Sequence, residues 1–450
     1  MRHKTVPAEL GAENVGKLLW QYAAPAIIAM TASSLYNITD SIFIGHGVGP
    51  LALSGLAICF PLMNLAAAFG SLVGAGGATL LSIRLGQKDY ETGNRILGNV
   101  LVLNLIVGIA FSFTTLLFLD PILFFFGASE DTLFHAREYM EILLFGNIFT
   151  HIYMGLNALM RSSGSPEKSM YATIATVVIN AALNVIFVFK LGWGMRGAAC
   201  ATIIAQVIVL VWQFKFFYNP NYIIHFKKGI FRLEKKIISD MLSIGSAPFF
   251  MNAGACLIVI VINQSLLRTG GDLAVGAYGI VNRIAFLFIM VVMGLNQGMQ
   301  PIAGYNFGAK LYDRVTGVLK KTILYATLVL VFGFAFVELF PRLVVSIFTT
   351  DESLIDLAAN GLRLTFLAYP FVGFQMVTSN FFQSIGMAGK AIFLSLSRQL
   401  IFLLPCLFIL PNFYGVNGVW LSFPISDFIA CIVAFFLLMH QLKAVEKMKE

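Results

Sequence analysis

Between Leu18 and Ile44 one side chain is charged, Asp40. A carboxylate inside an apolar stretch long enough to cross a bilayer costs about 2.5–3.5 kcal/mol on insertion scales, and such groups pair, line a pathway or relay protons. Tyr36 precedes Asp40 by four residues and shares its helix face. Asn180 and Asn184 repeat that spacing in a second apolar run, and Thr202 and Gln206 repeat it in a third. One acid among amides and hydroxyls can hold a proton or a cation. The six histidines are scattered along the chain, so no metal-dependent or paired-acid catalytic cluster is expected.

The elements that must position these residues are membrane helices. The chain is 58% hydrophobic and 12% charged, against about 25% charged in a soluble domain, and mean hydropathy is +0.83. Runs sufficient for a ~20-residue helix across a ~30 Å hydrocarbon core occur at 17–43, 51–82, 94–119, 136–160, 168–190, 197–218, 237–267, 273–304, 315–340, 354–382, 389–411 and 416–440. The expectation is an all-α polytopic membrane protein with twelve transmembrane helices. Residues 1–17 mix both signs and the next run is too long for a signal-peptide core, so no cleaved leader is expected. The five cysteines fall in or beside apolar runs and read as packing residues.

Lys and Arg set the orientation. Of 30 such residues, 23 fall on one side of the expected membrane and 5 on the other, with Arg283 and Arg363 left inside spans. The rich side is cytoplasmic, and both termini lie there. The formal charge of +8 is thereby a topology signal and a contact for anionic membrane lipids, not a nucleic-acid footprint.

The chain repeats itself. LGQKDY (85–90) corresponds to FGAKLY (307–312), RSSGSPEK (161–168) to QSIGMAGK (383–390), and LALSGLAI (51–58) to LAVGAYGI (273–280), each at an offset of 222. Pro25 and Pro248 correspond with a one-residue slip. Six spans per half place both halves in the same orientation. The expected organisation is an N-lobe (1–222) and a C-lobe (223–450), two pseudo-symmetric six-helix bundles suited to alternating access. The basic loop 219–236 joins them. Glycine-rich segments such as GSLVGAGGA (70–78) and the intraspan prolines favour bending and close packing.

Depth tests whether the polar residues can meet. From Lys17, Asp40 lies roughly 35 Å along its helix, and from Lys168, Asn180 and Asn184 lie roughly 18 and 24 Å along theirs. The helix of Thr202 and Gln206 starts outside, placing them roughly 8 and 14 Å in. With tilt allowed, all share a layer in the outer half.

TDSIFIGHGVGPLALSGLAICFP (39–61), GAGGATLLSIRLGQKD (74–89) and NQGMQPIAGYNFGAK (296–310) resemble the multidrug and toxic compound extrusion (MATE) transporters, and the likeness covers essentially the whole chain. The resemblance implies two six-helix lobes forming a V. It also implies a secondary antiporter that expels organic, often cationic and amphipathic compounds in exchange for protons or sodium ions. The absence of a GxxxxGK[ST] phosphate loop agrees with ion-driven transport. The family's first-lobe ion site would fall on Asp40, Asn180 and Thr202, with Tyr36 one turn before the acid. Those three would also be the metal ligands if sodium is the coupling ion. Many relatives carry an aspartate where this chain has Asn184, which weakens sodium binding and makes a single protonatable group the simpler coupling device. Another branch of the family uses carboxylates in helices 7 and 10. Here those spans offer Asn263, Gln264, Gln375, Asn380 and Gln383, none of which titrates.

Candidate substrate contacts are Asn37, Met154, Asn157, Gln206 and Arg283, within a wall of methionine and phenylalanine that can deform around varied ligands. Arg363 is expected to snorkel or meet backbone, Glu338 and Asp427 to sit toward helix ends, and Arg398 to belong with the cytoplasmic charges. His151 reads as a packed histidine. The expected protein is a monomer in the bacterial cytoplasmic (inner) membrane. It has no cofactor beyond the coupling cation, and its partners are small organic substrates, that cation and lipid. A lipid-linked oligosaccharide flippase of the same superfamily is the alternative, but it would need several cavity arginines. An intramembrane enzyme would need a catalytic constellation that the residues do not offer.

Overall fold

Residues 6–447 are described by the structure, a computed structural model, with all side chains in that range except those of Val6, Pro7, Ala8, Tyr36, Asn37, Ile38, Pro50, Leu53, Asp272 and Lys447. Among them every regular element is helical, because in hydrocarbon a helix satisfies its own backbone polar groups. The long elements of the first half are α2 (Val15–Gly47), α3 (Pro50–Gly86), α4 (Tyr90–Leu117), α6 (Glu130–Ser162), α7 (Pro166–Asn184) and α8 (Gly194–Tyr218). Short helices α1 (Val6–Ala12) and α5 (Leu119–Phe125) accompany them. The second half opens with α9 (Lys235–Gly308), followed by α10 (Tyr312–Leu339), α11 (Pro341–Ser346), α12 (Glu352–Phe366), α13 (Tyr369–Ser384), α14 (Ala388–Leu396), α15 (Leu404–Tyr414) and α16 (Val416–Lys447). Val185–Lys190 and Ser397–Leu403 are π-helical insertions within the fifth and eleventh spans.

Among the described residues, eleven helical spans are long and apolar enough to cross a membrane. Two of them lie in α9, separated where Gly271 (φ 67°, ψ −164°) leaves the helical region, a backbone that glycine adopts without Cβ strain. The remaining expected span, 354–382, is not one helix. It breaks at Leu367–Ala368 between α12 and α13, just before Pro370, because proline lacks an N–H and disfavours helical geometry in the residue ahead of it. Side-chain caps hold several span ends. Asp89 accepts from Thr92 N at 3.1 Å, Asp351 accepts from Leu354 N at 3.0 Å, and Ser129 and Thr132 form a reciprocal capping box.

Two compact units result. The first comprises residues up to Glu13, Ile28–Phe249 and Gly304–Ala309, and the second Asn14–Ile27, Phe250–Ala303 and Lys310 onward. These boundaries do not coincide with a division at 222/223. The mid-chain loop stays with the first unit because α4 holds it: Asn94 Oδ1 accepts from His225 N at 2.8 Å, and Asn99 Oδ1 accepts from Glu234 N at 3.0 Å. Beyond the loop, the start of α9 packs backbone to backbone on α3. A Cβ on Gly245 would fall 1.7 Å from Leu72 O, and one on Gly76 would fall 2.0 Å from Met241 O. Small residues permit such approaches. In the second unit the Asn14–Ile27 part of α2 lies as tightly on α9, where a Cβ on Gly298 would reach Ala23 N at 2.6 Å.

The first unit's core gathers Ile44, Leu56, Leu62, Leu123, Tyr139, Leu144, Val188 and Ala198, all buried. They come from α2, α3, α5, α6, α8 and the first π-helical segment, and this core supports the polar site.

Candidate functional site

Asp40 is 4% exposed, on the part of α2 that belongs to the first unit. Its carboxylate accepts two hydrogen bonds. Asn184 Nδ2 donates to Oδ1 at 2.8 Å, and the Tyr139 hydroxyl donates to Oδ2 at 3.2 Å. Asn184 Nδ2 also donates to Asn180 Oδ1 at 2.8 Å, Asn180 Nδ2 donates to Thr202 Oγ1 at 3.2 Å, and Thr202 donates to Ala198 O at 3.3 Å. Four helices, α2, α6, α7 and α8, thus contribute to one buried polar chain. Hydrogen bonds to a charged group contribute about 1.5–3 kcal/mol each, so the two donors offset part of the cost of burying the carboxylate. No ion pair engages Asp40 among the described residues.

Local geometry explains the convergence. Asn184 is the last α-helical residue before the π-helical segment Val185–Lys190, and single-turn π insertions re-aim side chains at functional sites. The same segment approaches the C-terminal end of α2 closely: a Cβ on Gly47 would fall 2.5 Å from Val188 Cγ1. Asn184 is fully buried, and its Oδ1 finds no hydrogen-bond partner among the described residues. The described residues contain no group of three His, Cys, Asp or Glu able to hold a metal ion.

The MatE family profile matches residues 25–186 and 249–408. The chain belongs to the MatE family. Multidrug export protein MepA of Staphylococcus haemolyticus is 26% identical over 94% of this chain and 93% of its own length. The solved MATE multidrug transporter DinF-BH is 35% identical, covers 96% of each chain and superposes with a TM-score of 0.89. A crystal structure of MATE in the straight conformation is 25% identical and covers 99% of this chain and all of its own, with a TM-score of 0.92. The expected all-helical, multi-pass transporter fold is thereby established.

Within this MATE transporter, Asp40, Asn180, Asn184 and Thr202 are brought together. Tyr36 and Asn37 have side chains outside the described residues. Tyr139 joins the polar cluster and was not among the expected residues. It reads as one more aromatic in an apolar helix, yet it stands nine residues into α6, roughly 14 Å from the helix start, as Thr202 stands roughly 12 Å from the start of α8. Of the candidate substrate contacts, Met154, Asn157, Gln206 and Arg283 are not joined to Asp40 among the described residues. Thr150 Oγ1 donates to Gln206 Oε1 at 2.5 Å. Asn157 donates to Thr173 at 3.0 Å and accepts from Ser169 at 2.5 Å. Met154 packs where Gly70 leaves room, its Sδ 3.3 Å from a Cβ built there. Along α6, Met154 and Asn157 lie roughly 22 and 27 Å beyond Tyr139. Arg283 is exposed and belongs to the second unit. His151 is buried with Nε2 3.0 Å from Ala66 O, as a packed histidine would be. Arg363 meets Glu338 through an ion pair at 3.3 Å and a bond to its carbonyl at 3.0 Å.

Proposed function

We propose that this MATE transporter exports organic, cationic amphipathic compounds from the bacterial cytoplasm in exchange for protons, by alternating access, with both termini cytoplasmic and the monomer as the working unit. The observation that carries the proposal is a buried carboxylate supplied with hydrogen-bond donors and lacking a cationic partner. Such a group takes either a proton or the positive charge of a substrate, not both, and that exclusion couples the two flows. Exchange of one proton for one monovalent cation is electroneutral, so the pH gradient alone drives it.

The polar chain supplies the response. When Asp40 is ionised it accepts, and every amide in the chain points N–H toward its neighbour on the Asp40–Asn184–Asn180–Thr202 path as described above. Once protonated, Asp40 must donate, and the unpartnered Oδ1 of Asn184 is the acceptor nearest in chemistry. Rotation of the Asn184 amide presents that oxygen, rotation of Asn180 follows so that its Nδ2 meets the same oxygen, and Thr202 then donates to Asn180 Oδ1. The chain reverses polarity along its whole length. That change loosens the tie between α2 and α7 and releases the substrate outward.

The same arrangement argues for a proton over sodium as the transported ion. Sodium would need oxygen lone pairs from Asp40, Asn180 and Thr202 converging on one point, with several oxygens around a hard cation. Here amide N–H groups of Asn184 and Asn180 occupy those directions. The decisive experiment imposes pH and sodium gradients separately on proteoliposomes and follows dye export by the wild type and Asp40→Asn. Export driven by the pH gradient in the wild type and lost in the variant is expected; undiminished export by Asp40→Asn refutes the coupling role.

A further inference from the structure

The mid-chain loop is held to the first unit more tightly than a tether between two halves requires. Besides accepting from Glu234 N, the buried Asn99 donates to Arg232 O at 3.1 Å, so one amide grips the loop backbone twice. A Cβ on Gly98 would fall 2.1 Å from Ile230 O, so the loop lies directly on α4. Ile224 and Ile230 are buried beneath it. Asn99 stands nine residues beyond Tyr90, roughly 14 Å along that helix. With 28 residues α4 is roughly 42 Å long, about 12 Å more than a ~30 Å hydrocarbon core. The loop therefore follows α4 up to the boundary between headgroups and hydrocarbon and does not hang in bulk water.

What this strap presents outward fits that boundary. Lys227, Lys228, Arg232, Lys235 and Lys236 are exposed, and none enters an ion pair among the described residues. The carboxylate in their midst, Glu234, is engaged by Arg95 at 2.8 Å and does not neutralise them. Lys168 is occupied differently, its Nζ lying 4.9 and 4.5 Å from the ring centroids of Phe216 and Tyr222. Among the five open cations stand two exposed apolar side chains, Phe231 at 50% and Leu233 at 39%. Apolar groups that enter the acyl boundary beside cations that stay with phosphates are the pattern of an interfacial segment. Because the backbone is already fixed on α4, little ordering opposes binding.

We propose that residues 227–236 form a binding surface for anionic phospholipid headgroups in the leaflet on the basic side of the membrane. Five unneutralised cations suit phosphate, and Phe231 and Leu233 suit the acyl chains that a phospholipid brings and a soluble phosphate or a nucleic acid does not. The lipid relieves the repulsion among the five charges and holds the loop against α4. One segment thus carries a lipid contact that net charge alone leaves spread over a whole face. The proposal is independent of coupling at Asp40 and of the exported compound.

Melting the delipidated full-length protein in neutral detergent, with increasing dioctanoyl phosphatidylglycerol or dioctanoyl phosphatidylcholine, tests it. The quantity read is the lipid concentration that gives half the maximal rise in melting temperature. Phosphatidylglycerol is expected to act at a concentration at least tenfold lower than phosphatidylcholine. Each basic residue near an anionic surface contributes about fivefold. Lys227→Gln, Lys228→Gln and Arg232→Gln together are therefore expected to raise the phosphatidylglycerol midpoint at least tenfold and leave the phosphatidylcholine midpoint in place. Lys310→Gln, Lys320→Gln and Lys443→Gln remove three exposed cations from the second unit and are expected to move either midpoint less than twofold. The pair Lys227→Gln with Lys228→Gln, a milder change at the same surface, is expected to fall between. Equal losses in the two triple variants, or a wild type without preference for phosphatidylglycerol, overturn the proposal. So does the same rise produced by glycerol 1-phosphate or by a DNA duplex, which would make the partner a soluble phosphate or a nucleic acid.

Discussion

Asn184→Asp places a second carboxylate where the amide nitrogen now stands 2.8 Å from Asp40 Oδ1. With the two charge centres about 4 Å apart, both ionised would repel by about 4 kcal/mol at an effective dielectric constant near 20, roughly three powers of ten. No cation among the described residues is paired with Asp40 to relieve this, so the variant pair either retains a proton or captures a metal cation. Asn180 Oδ1, which now accepts from Asn184, loses its donor and becomes a ligand, as can Thr202 Oγ1. The expected outcome is a change of coupling ion: a sodium gradient drives dye export by Asn184→Asp proteoliposomes and not by the wild type. Sodium, compared with choline at equal ionic strength, should also raise the variant's melting temperature, since about 2.7 kcal/mol of stabilisation accompanies ligand at a hundredfold its dissociation constant. Were the variant indifferent to sodium and driven by pH as the wild type is, residue 184 would not face Asp40 in the working protein, and the polarity-reversal mechanism would fall with it.

Gly245→Ala is expected to destabilise the first unit by about 1–3 kcal/mol or more, because its Cβ would sit 1.7 Å from Leu72 O. Gly317→Ala, with nothing within 4 Å, should be neutral or stabilising; thermal melts of the two variants in detergent separate the cases. Gly271→Ala forces an L-residue to φ 67°, ψ −164°, a region essentially confined to glycine and costing about 1–3 kcal/mol, and should lower the melting temperature without altering the pH dependence of export. Asp89 lies outside the spans. Partial burial works against its ionisation, yet bonds from Thr92 and the guanidiniums of Arg84 and Arg95 outweigh that and hold its carboxyl below the usual range. Its stabilisation is therefore complete above the unfolded value and lost as pH falls through the depressed folded one. Melting curves should show Asp89→Ala about 1 kcal/mol less stable at neutral pH, with the gap closing below about pH 4.

How much was legible in the sequence follows from which physical signals sequence carries. That Asp40, Asn180, Asn184 and Thr202 would lie together was legible because a polar residue in an apolar run is conspicuous and helix rise converts its position into depth. Tyr139 was missed because its ring is apolar and only its hydroxyl meets Asp40. Arg398 was expected among the cytoplasmic charges and Asp427 toward a helix end, and nothing in their separate positions announced the ion pair that joins them at 2.7 Å. Hydropathy also averaged over Leu367–Ala368 and so joined α12 to α13, whereas Pro370 enforces the break. The 222-residue offset, finally, does not by itself say where the chain divides into compact units. Nothing in the repeat indicates that Asn94 and Asn99 would capture the loop after residue 222, or that the beginning of α2 would pack on α9.

Those exchanged segments bear on how such a protein can be built and taken apart. Each half of the gene encodes a piece, Asn14–Ile27 in one and the stretch ending at Phe249 in the other, that completes the opposite unit. A chain severed in the 219–236 loop would leave each fragment short of a segment that its unit draws from the other. Recombination between relatives at the midpoint would have to match both donated segments to their new hosts, which confines viable chimaeras to junctions near Pro25 and Pro248.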